Sequence, residues 1–386
     1  MKKKIDASYI RLIVLYAAYF LPLGASAYTS VYLSGRGVSD AQIGTLMSLA
    51  PLIALVFQPL WGQAGDRAKY KRSVLALSFL LTGAVCLLYD VAAGVVALLC
   101  VMTAYSAVSQ GISPLAQSIC MEYSNDYTCG FGPIRMSGSI AYMVMLFLPS
   151  FAPNSMKHLF LIMGVCFLAC SAYALRIPPV RGYQHESTKI SPFTVLKDKR
   201  IAFLMAMTFC GKTASGFYVS FFNLYTSRTF TANTMSVMAV IAIILEIPFL
   251  MFSNRLRTKM KITTWVLVGF LLNAVRFIGI AFIETPWIVM LLQFTGVSVM
   301  ACFEFFPVLY MNDIVVKELR SSMQSMNTLI TFGVTQLTGT MLGGFIGDKL
   351  GLQAAFGIYG VFLIAAFLAF LIPARKMNMQ WQDKLS

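Results

Sequence analysis

Twelve stretches of this chain are long and apolar enough to cross a lipid bilayer as helices. A spanning helix needs about 20 mostly apolar residues, because inside hydrocarbon every backbone N–H and C=O must be satisfied within the segment. In the first half the stretches are 9–33, 41–64, 73–90, 94–121, 131–152 and 157–176. In the second they are 201–226, 233–253, 263–283, 286–311, 321–346 and 352–373. Composition agrees: 58% of the 386 residues are apolar and 12% are Asp, Glu, Lys or Arg, about half the charged share of a soluble domain.

The net charge of +15 would point to nucleic acid in a soluble protein. Here the basic residues fill the short breaks between apolar runs, so no nucleic-acid surface is expected. With both termini cytoplasmic, 23 of the 30 Lys and Arg residues fall on the cytoplasmic side. Four lie outside (Arg36, Lys157, Arg228 and Lys349), and three fall within spans (Arg135, Lys212 and Arg276), with Arg11, Lys157 and Arg176 at span ends counted with the sides they adjoin. Short cytoplasmic loops favour positive charge, which selects this orientation. Met1 to Asp6 is short and basic, and no small-residue cleavage site follows the first apolar run, so that run is expected to be retained as a span.

The longest polar stretch, 177–199, contains Pro178, Pro179 and Gly182. It separates an expected bundle at 1–176 from a second at 200–386. The predicted fold is an all-α membrane protein, with twelve transmembrane helices in two pseudo-symmetric six-helix bundles and a path between them. The eight cysteines show no metal-ligand spacing, and those in apolar runs behave as small hydrophobes. No nucleophile–base pair, metal set or phosphate loop is present, so neither an enzyme nor a cofactor is expected.

The second span ends Gly62-Gln63-Ala64-Gly65-Asp66-Arg67-Ala68-Lys69-Tyr70-Lys71-Arg72. This resembles the loop 2–3 signature of the major facilitator superfamily, with Gly62, Asp66, Arg67, Lys71 and Arg72 as the gate motif; Lys69 and Tyr70 replace its later Gly and Arg. The resemblance implies that Gly62 allows close helix approach and that Asp66 faces a helix N-terminus or an arginine. Phe57-Gln58-Pro59-Leu60-Trp61-Gly62, Phe131-Gly132-Pro133-Ile134-Arg135-Met136-Ser137-Gly138 and Ala274-Val275-Arg276-Phe277-Ile278-Gly279 resemble runs of the lactose permease and 3-phenylpropionate permease group. Leu245-Glu246-Ile247-Pro248 is similar to the phenylpropionate-permease-like branch in particular. The resemblance implies a proton symporter of the bacterial inner membrane, working by alternating access as a monomer on a small-molecule substrate.

Charges inside spans are costly, so each needs a partner or a function. The resemblance implies that Arg135 binds substrate and that Arg276 pairs with a coupling carboxylate. Glu246 and Glu304 lie at similar depth in spans eight and ten, within reach of Arg276 or Lys212. A low-dielectric cavity disfavours the ionised carboxylate and a nearby cation restores it, so a proton and a salt bridge compete for one group. Glu246 is the first candidate for the protonated site, because the family pattern places a Glu there; Glu304 is the second. Static buried ion pairs are the plain alternative. Asp313, Glu122 and Asp126 lie at cytoplasmic span ends, as gate or interface residues.

Span ten departs from the lactose permease, because Gly296 and Val299 stand where that family has its His and Glu coupling pair. In span four Ser118 replaces the galactoside-binding carboxylate, with Gln117 adjacent, which disfavours a sugar. Arg135, Lys212 and Arg276 outnumber Glu246 and Glu304 by one, which suits an anionic substrate. Aromatic residues including Tyr28 and Tyr218 can stack on a ring. The expectation is therefore uptake of an aromatic or other organic monocarboxylate, with Arg135, Lys212, Gln117, Tyr28 and Tyr218 as substrate-binding residues. The alternatives are a sugar or nucleoside proton symporter, proton-antiport efflux of drug-like compounds, and a transport-deficient membrane sensor. Efflux is disfavoured because Tyr142 to Pro153 contains no glycine, whereas antiporters of this superfamily usually carry a glycine motif there.

Overall fold

The computed structural model describes residues 6–124, 131–151, 157–179, 198–244, 259–315 and 329–377, with Met323 and Asn327. Helix covers part or most of every one of the twelve predicted stretches, and no strand occurs among the described residues. In the first half the helices are α1 (Ala7–Ser26), α2 (Thr29–Gly35), α3 (Asp40–Arg67), α4 (Lys71–Leu88), α5 (Gly94–Ser109), α6 (Ile112–Ser124), α7 (Gly132–Leu146), α8 (Leu148–Phe151) and α9 (Leu159–Ala174). The second half contains α10 (Lys199–Thr229), α11 (Ala232–Ile244), α12 (Ile262–Phe282), α13 (Pro286–Leu292), α14 (Phe306–Ile314), α15 (Thr335–Leu350) and α16 (Leu352–Lys376). Seven described helical stretches are long and apolar enough to cross a membrane, and the bent α3 makes an eighth.

Several spans are not simple cylinders. Span one is broken between α1 and α2, and span four is broken at Gln110–Gly111 between α5 and α6. Span ten passes from α13 through a 3₁₀ turn (Gln293–Gly296) and a π-helical turn (Val299–Phe305) into α14. A second π segment, Leu329–Val334, precedes α15. Such wide turns inside helices occur often at functional positions.

The residues group into two compact units, 1–38 with 52–187 and 39–51 with 188–386. In the first unit α1 packs on α7 and α4 on α9; in the second α10 packs on α15 and α12 on α16. By span these pairs are one with five and three with six, then seven with eleven and nine with twelve. The second pattern is the first displaced by six spans, as repeated halves require.

The centre of the second unit is α10, where 18 of 31 residues are buried. It carries Thr208, Lys212, Thr213, Ser215 and Ser220 on buried positions, which a lipid-facing helix cannot hold. Gly216 allows the close approach to α15: a Cβ there would sit 2.9 Å from the Thr335 carbonyl oxygen. Small residues at such crossings let transmembrane helices pack backbone to backbone. At the crossing Ser220 and Thr340 share a hydrogen bond of 2.8 Å. Also in this unit, Arg228 forms a two-pronged pair with Asp40 at 2.8 and 2.9 Å.

Candidate transport site

Two polar clusters lie inside the second unit. Lys212, in the middle of α10, has a side chain only 7% exposed and forms an ion pair with Glu304 in the π turn. Glu304 keeps 33% of its side chain exposed, so the carboxylate is the open end of the pair and the ammonium the buried one. The sequence put Glu304 within reach of either Lys212 or Arg276; it pairs with Lys212.

Arg276, 3% exposed on α12, belongs to the other cluster. Its guanidinium carbon lies 3.8 Å from the ring centre of Tyr218. Arg276 Nη2 donates to Gln293 Oε1 at 2.5 Å, and the Tyr218 hydroxyl donates to the same oxygen at 2.7 Å. Gln293 Nε2 donates in turn to the Val289 carbonyl. Gly296 makes room for this: a Cβ there would sit 2.8 Å from Arg276 Nη1. The expected histidine position thus holds a glycine because the arginine occupies the space. Gln293 is a site residue that the sequence reading missed; an isolated Gln in an apolar span was the available signal. Beside it Asn273 donates to the Gly269 carbonyl and to Ser298 Oγ, each at 2.9 Å.

The first unit contains a cavity of about 350 Å³ at the break in span four. Its polar lining is Gln58, Ser109, Gln110, Ser113 and Gln117, flanked by the rings of Tyr105 and Phe167. Among the described residues no charged side chain lines it. Among the sequence candidates, Gln117 is there. Arg135 is not: it is exposed in the first turn of α7, donates to Ser139 Oγ at 3.1 Å and lies over the Phe20 ring. Tyr28 is fully buried and its hydroxyl donates to the Leu146 carbonyl at 2.5 Å, so its polar end is engaged in packing rather than open to a solute.

The basic cluster of the gate motif is partly internal. Lys71 is 4% exposed and donates to Ser118 Oγ at 3.0 Å. Arg72 donates to the Ile177 carbonyl just beyond α9, where the negative end of a helix favours a cation. Arg67 is exposed. A Cβ at Gly62 would meet nothing within 4 Å, so the close approach expected there is absent; Gly65 provides it, against the Leu115 side chain. Glu246 and Asp126 lie outside the described residues, as do the side chains of Asp66, Glu122 and Asp313.

Two repeated units, interrupted spans and buried charges are the build of a solute carrier, and the sequence matches the MFS_1 like family over residues 9–358. The chain belongs to that family. It is a secondary transporter of the major facilitator superfamily, and its relatives are transporters rather than enzymes. This facilitator is 24% identical over 358 residues to the uncharacterized transporter YwbF of Bacillus subtilis (strain 168), covering 90% of this chain and 89% of that one. It is 22% identical to the maltose permease of Geobacillus stearothermophilus, covering 96% of each. Among solved structures, the nucleoside transporter NupG superposes with a TM-score of 0.84 at 18% identity, covering 97% of this chain and 100% of that one. A bacterial homologue of the human lysosomal transporter Spinster, inward-facing and occupied, gives 0.74 at 14% identity, covering 97% and 98%. These structural likenesses show the facilitator fold alone.

Proposed function

We propose that this facilitator takes up a small uncharged solute of the sugar or nucleoside kind in symport with protons. It does so across a bacterial inner membrane, with both termini cytoplasmic. The observation that carries the reading is the Lys212–Glu304 pair. The carboxylate is the open end of the pair, so a proton can displace the lysine from it; the buried ammonium draws the carboxylate back once the proton leaves. One ion pair thereby has two states, which a carrier can link to two conformations. The proton-symporter branch of the lactose and 3-phenylpropionate permeases, whose motifs the chain resembles, supports the same coupling. Glu304 takes the role expected first of Glu246, which lies outside the described residues.

An uncharged solute is supported over a monocarboxylate by the disposition of the cations. Lys212 is paired with Glu304, Arg276 is stacked on Tyr218 and bonded to Gln293, and Arg135 is exposed at a helix start. The excess positive charge counted in the sequence is therefore not gathered in one cavity. The names of two similar proteins, a maltose permease and a nucleoside transporter, support the same class.

The test is transport by purified protein in proteoliposomes. Glu304→Gln is expected to abolish accumulation driven by a proton gradient while retaining counterflow exchange, which also demonstrates that the variant is folded. Uphill accumulation at the wild-type level in Glu304→Gln would reject the coupling role.

A further inference from the structure

The cavity of the first unit lies beside a two-residue lapse in the helical ladder of span four, at Gln110–Gly111. Breaking a helix inside the bilayer strands backbone carbonyls where no water can satisfy them. Here two side chains take them: Trp61 Nε1 donates to the Ala107 carbonyl at 2.8 Å, and Ser78 Oγ donates to the Val108 carbonyl at 2.7 Å. The Trp61 ring lies directly on Gly111, where a Cβ would approach it to 2.6 Å. Pro114, in the first turn of α6, has no N–H to restore the ladder. The lapse is therefore held by side chains of α3 and α4, and the residues that flank it, Ser109, Gln110, Ile112 and Ser113, line the cavity.

The cavity offers three carboxamides, Gln58, Gln110 and Gln117, with Ser109 and Ser113 between them and the rings of Tyr105 and Phe167 alongside. Gln58, Gln117 and Ser113 are exposed to it. Each carboxamide presents an acceptor oxygen beside a two-proton donor. That pattern is complementary to a planar edge carrying the same alternation, as glutamine shows when it pairs in two places with the edge of adenine. The aromatic rings supply apolar faces for a flat ring. With no charged group among the described lining residues, an ionised solute would lose its hydration without a counter-charge from them. A bare sugar can lay its C–H face on a ring, but its hydroxyls point in several directions and offer no alternating planar edge.

We infer that this cavity binds the heterocyclic base of a neutral nucleoside, with Gln110 and Gln117 reading its donor–acceptor edge and the rings of Tyr105 and Phe167 against its face. The inference rests on the uncharged-solute reading above and narrows it. It does not depend on proton coupling, because binding is measured at equilibrium without a gradient.

The experiment is isothermal titration of the full-length protein in detergent with uridine, adenosine, ribose and maltose. Uridine or adenosine is expected to bind, and ribose and maltose to bind at least tenfold more weakly. Gln117→Leu and Gln110→Leu are each expected to weaken nucleoside binding at least tenfold. As a second measurement, nucleoside is expected to slow alkylation of Gln110→Cys by a maleimide, in a background whose own cysteines are replaced. Equal or tighter binding of ribose or maltose would overturn the base assignment. Unchanged nucleoside affinity in both leucine variants, or alkylation that nucleoside leaves unslowed, would overturn the location. If Glu304→Gln still accumulates solute while these results hold, the coupling reading fails and this one stands.

Discussion

Arg276 lies on the ring of Tyr218 with its guanidinium carbon 3.8 Å from the ring centre, and both side chains donate to one oxygen of Gln293. A desolvated cation–π contact of this kind contributes roughly 2 kcal/mol. The single amide oxygen also satisfies two buried donors, so the three side chains stand or fall together.

Removing that oxygen has a definite cost. Gln293→Leu leaves two buried donors without their shared acceptor, and each such loss costs about 1–3 kcal/mol. The variant is expected to unfold several degrees below the wild type in a thermal melt in detergent. Gln293→Glu keeps the shared acceptor and adds a charge opposite Arg276, at the loss of the Nε2 bond to the Val289 carbonyl, and is expected to melt closer to wild type than Gln293→Leu. Equal melting of Gln293→Leu and wild type would contradict the shared-acceptor account.

The Lys212–Glu304 pair is asymmetric in its exposure, 7% against 33% of the side chains. Truncating one partner of a buried pair costs about 3–5 kcal/mol when the charge left behind is buried. Glu304→Gln takes the carboxylate from a buried ammonium, whereas Lys212→Met leaves a carboxylate that is one-third exposed. Glu304→Gln is expected to lower the melting temperature more than Lys212→Met does. The double variant should recover much of the difference, as a double-mutant cycle would measure.

Glycines of the second and fourth spans separate in the same assay. Gly111→Ala forces a methyl into the Trp61 ring and is expected to cost about 1–3 kcal/mol, the range for overpacking. Gly62→Ala meets open space within α3 and is expected to be neutral or stabilising by up to about 1 kcal/mol through helix propensity.

At the start of α10, Asp198 caps the helix and pairs with Arg200 at 3.1 Å. Burial raises its carboxyl pKa, but the side-chain and backbone hydrogen bonds from Arg200, with that residue's charge, outweigh burial and hold it below the ordinary aspartate value. Because the folded state holds the proton less tightly than the unfolded chain, the contribution is present above the unfolded value of about 4. It is lost as pH falls through the folded value. The group is 34% exposed and its partner 47%, so the effect is expected to stay below about 1 kcal/mol. Asp198→Asn should melt slightly earlier than wild type at pH 7, and the difference should shrink as pH falls below about 4.

Much of the fold is legible in the residues, because the bilayer demands segments of fixed length and polarity. All twelve predicted stretches carry helix, even the polar α10, which stands out by its length between breaks rather than by its hydropathy. The charges Lys212, Arg276 and Glu304 were visible as charges inside spans, with Glu304 in reach of either cation. Which cation it meets, and that Arg276 meets Tyr218 and Gln293, were not. A span of regular helix predicts one face for each residue, and span ten is 3₁₀ and then π over Gln293–Gly296 and Val299–Phe305, which changes the faces by a turn geometry that hydropathy does not encode.

The same limit applies to the cavity. Gln110 and Gln117, seven residues apart, share a helical face by spacing, but Gln58 comes from α3 and no spacing relates it to them. What the chain determined by itself was its solvent: long apolar runs, basic breaks and a polar linker leave a multi-pass helical carrier as the arrangement that satisfies its backbone in lipid. Which charges meet, where span four opens and which glycine gives close approach were decided only by tertiary packing. Those outcomes depend on distances between side chains on different helices, and a one-dimensional pattern of polarity carries no such distances.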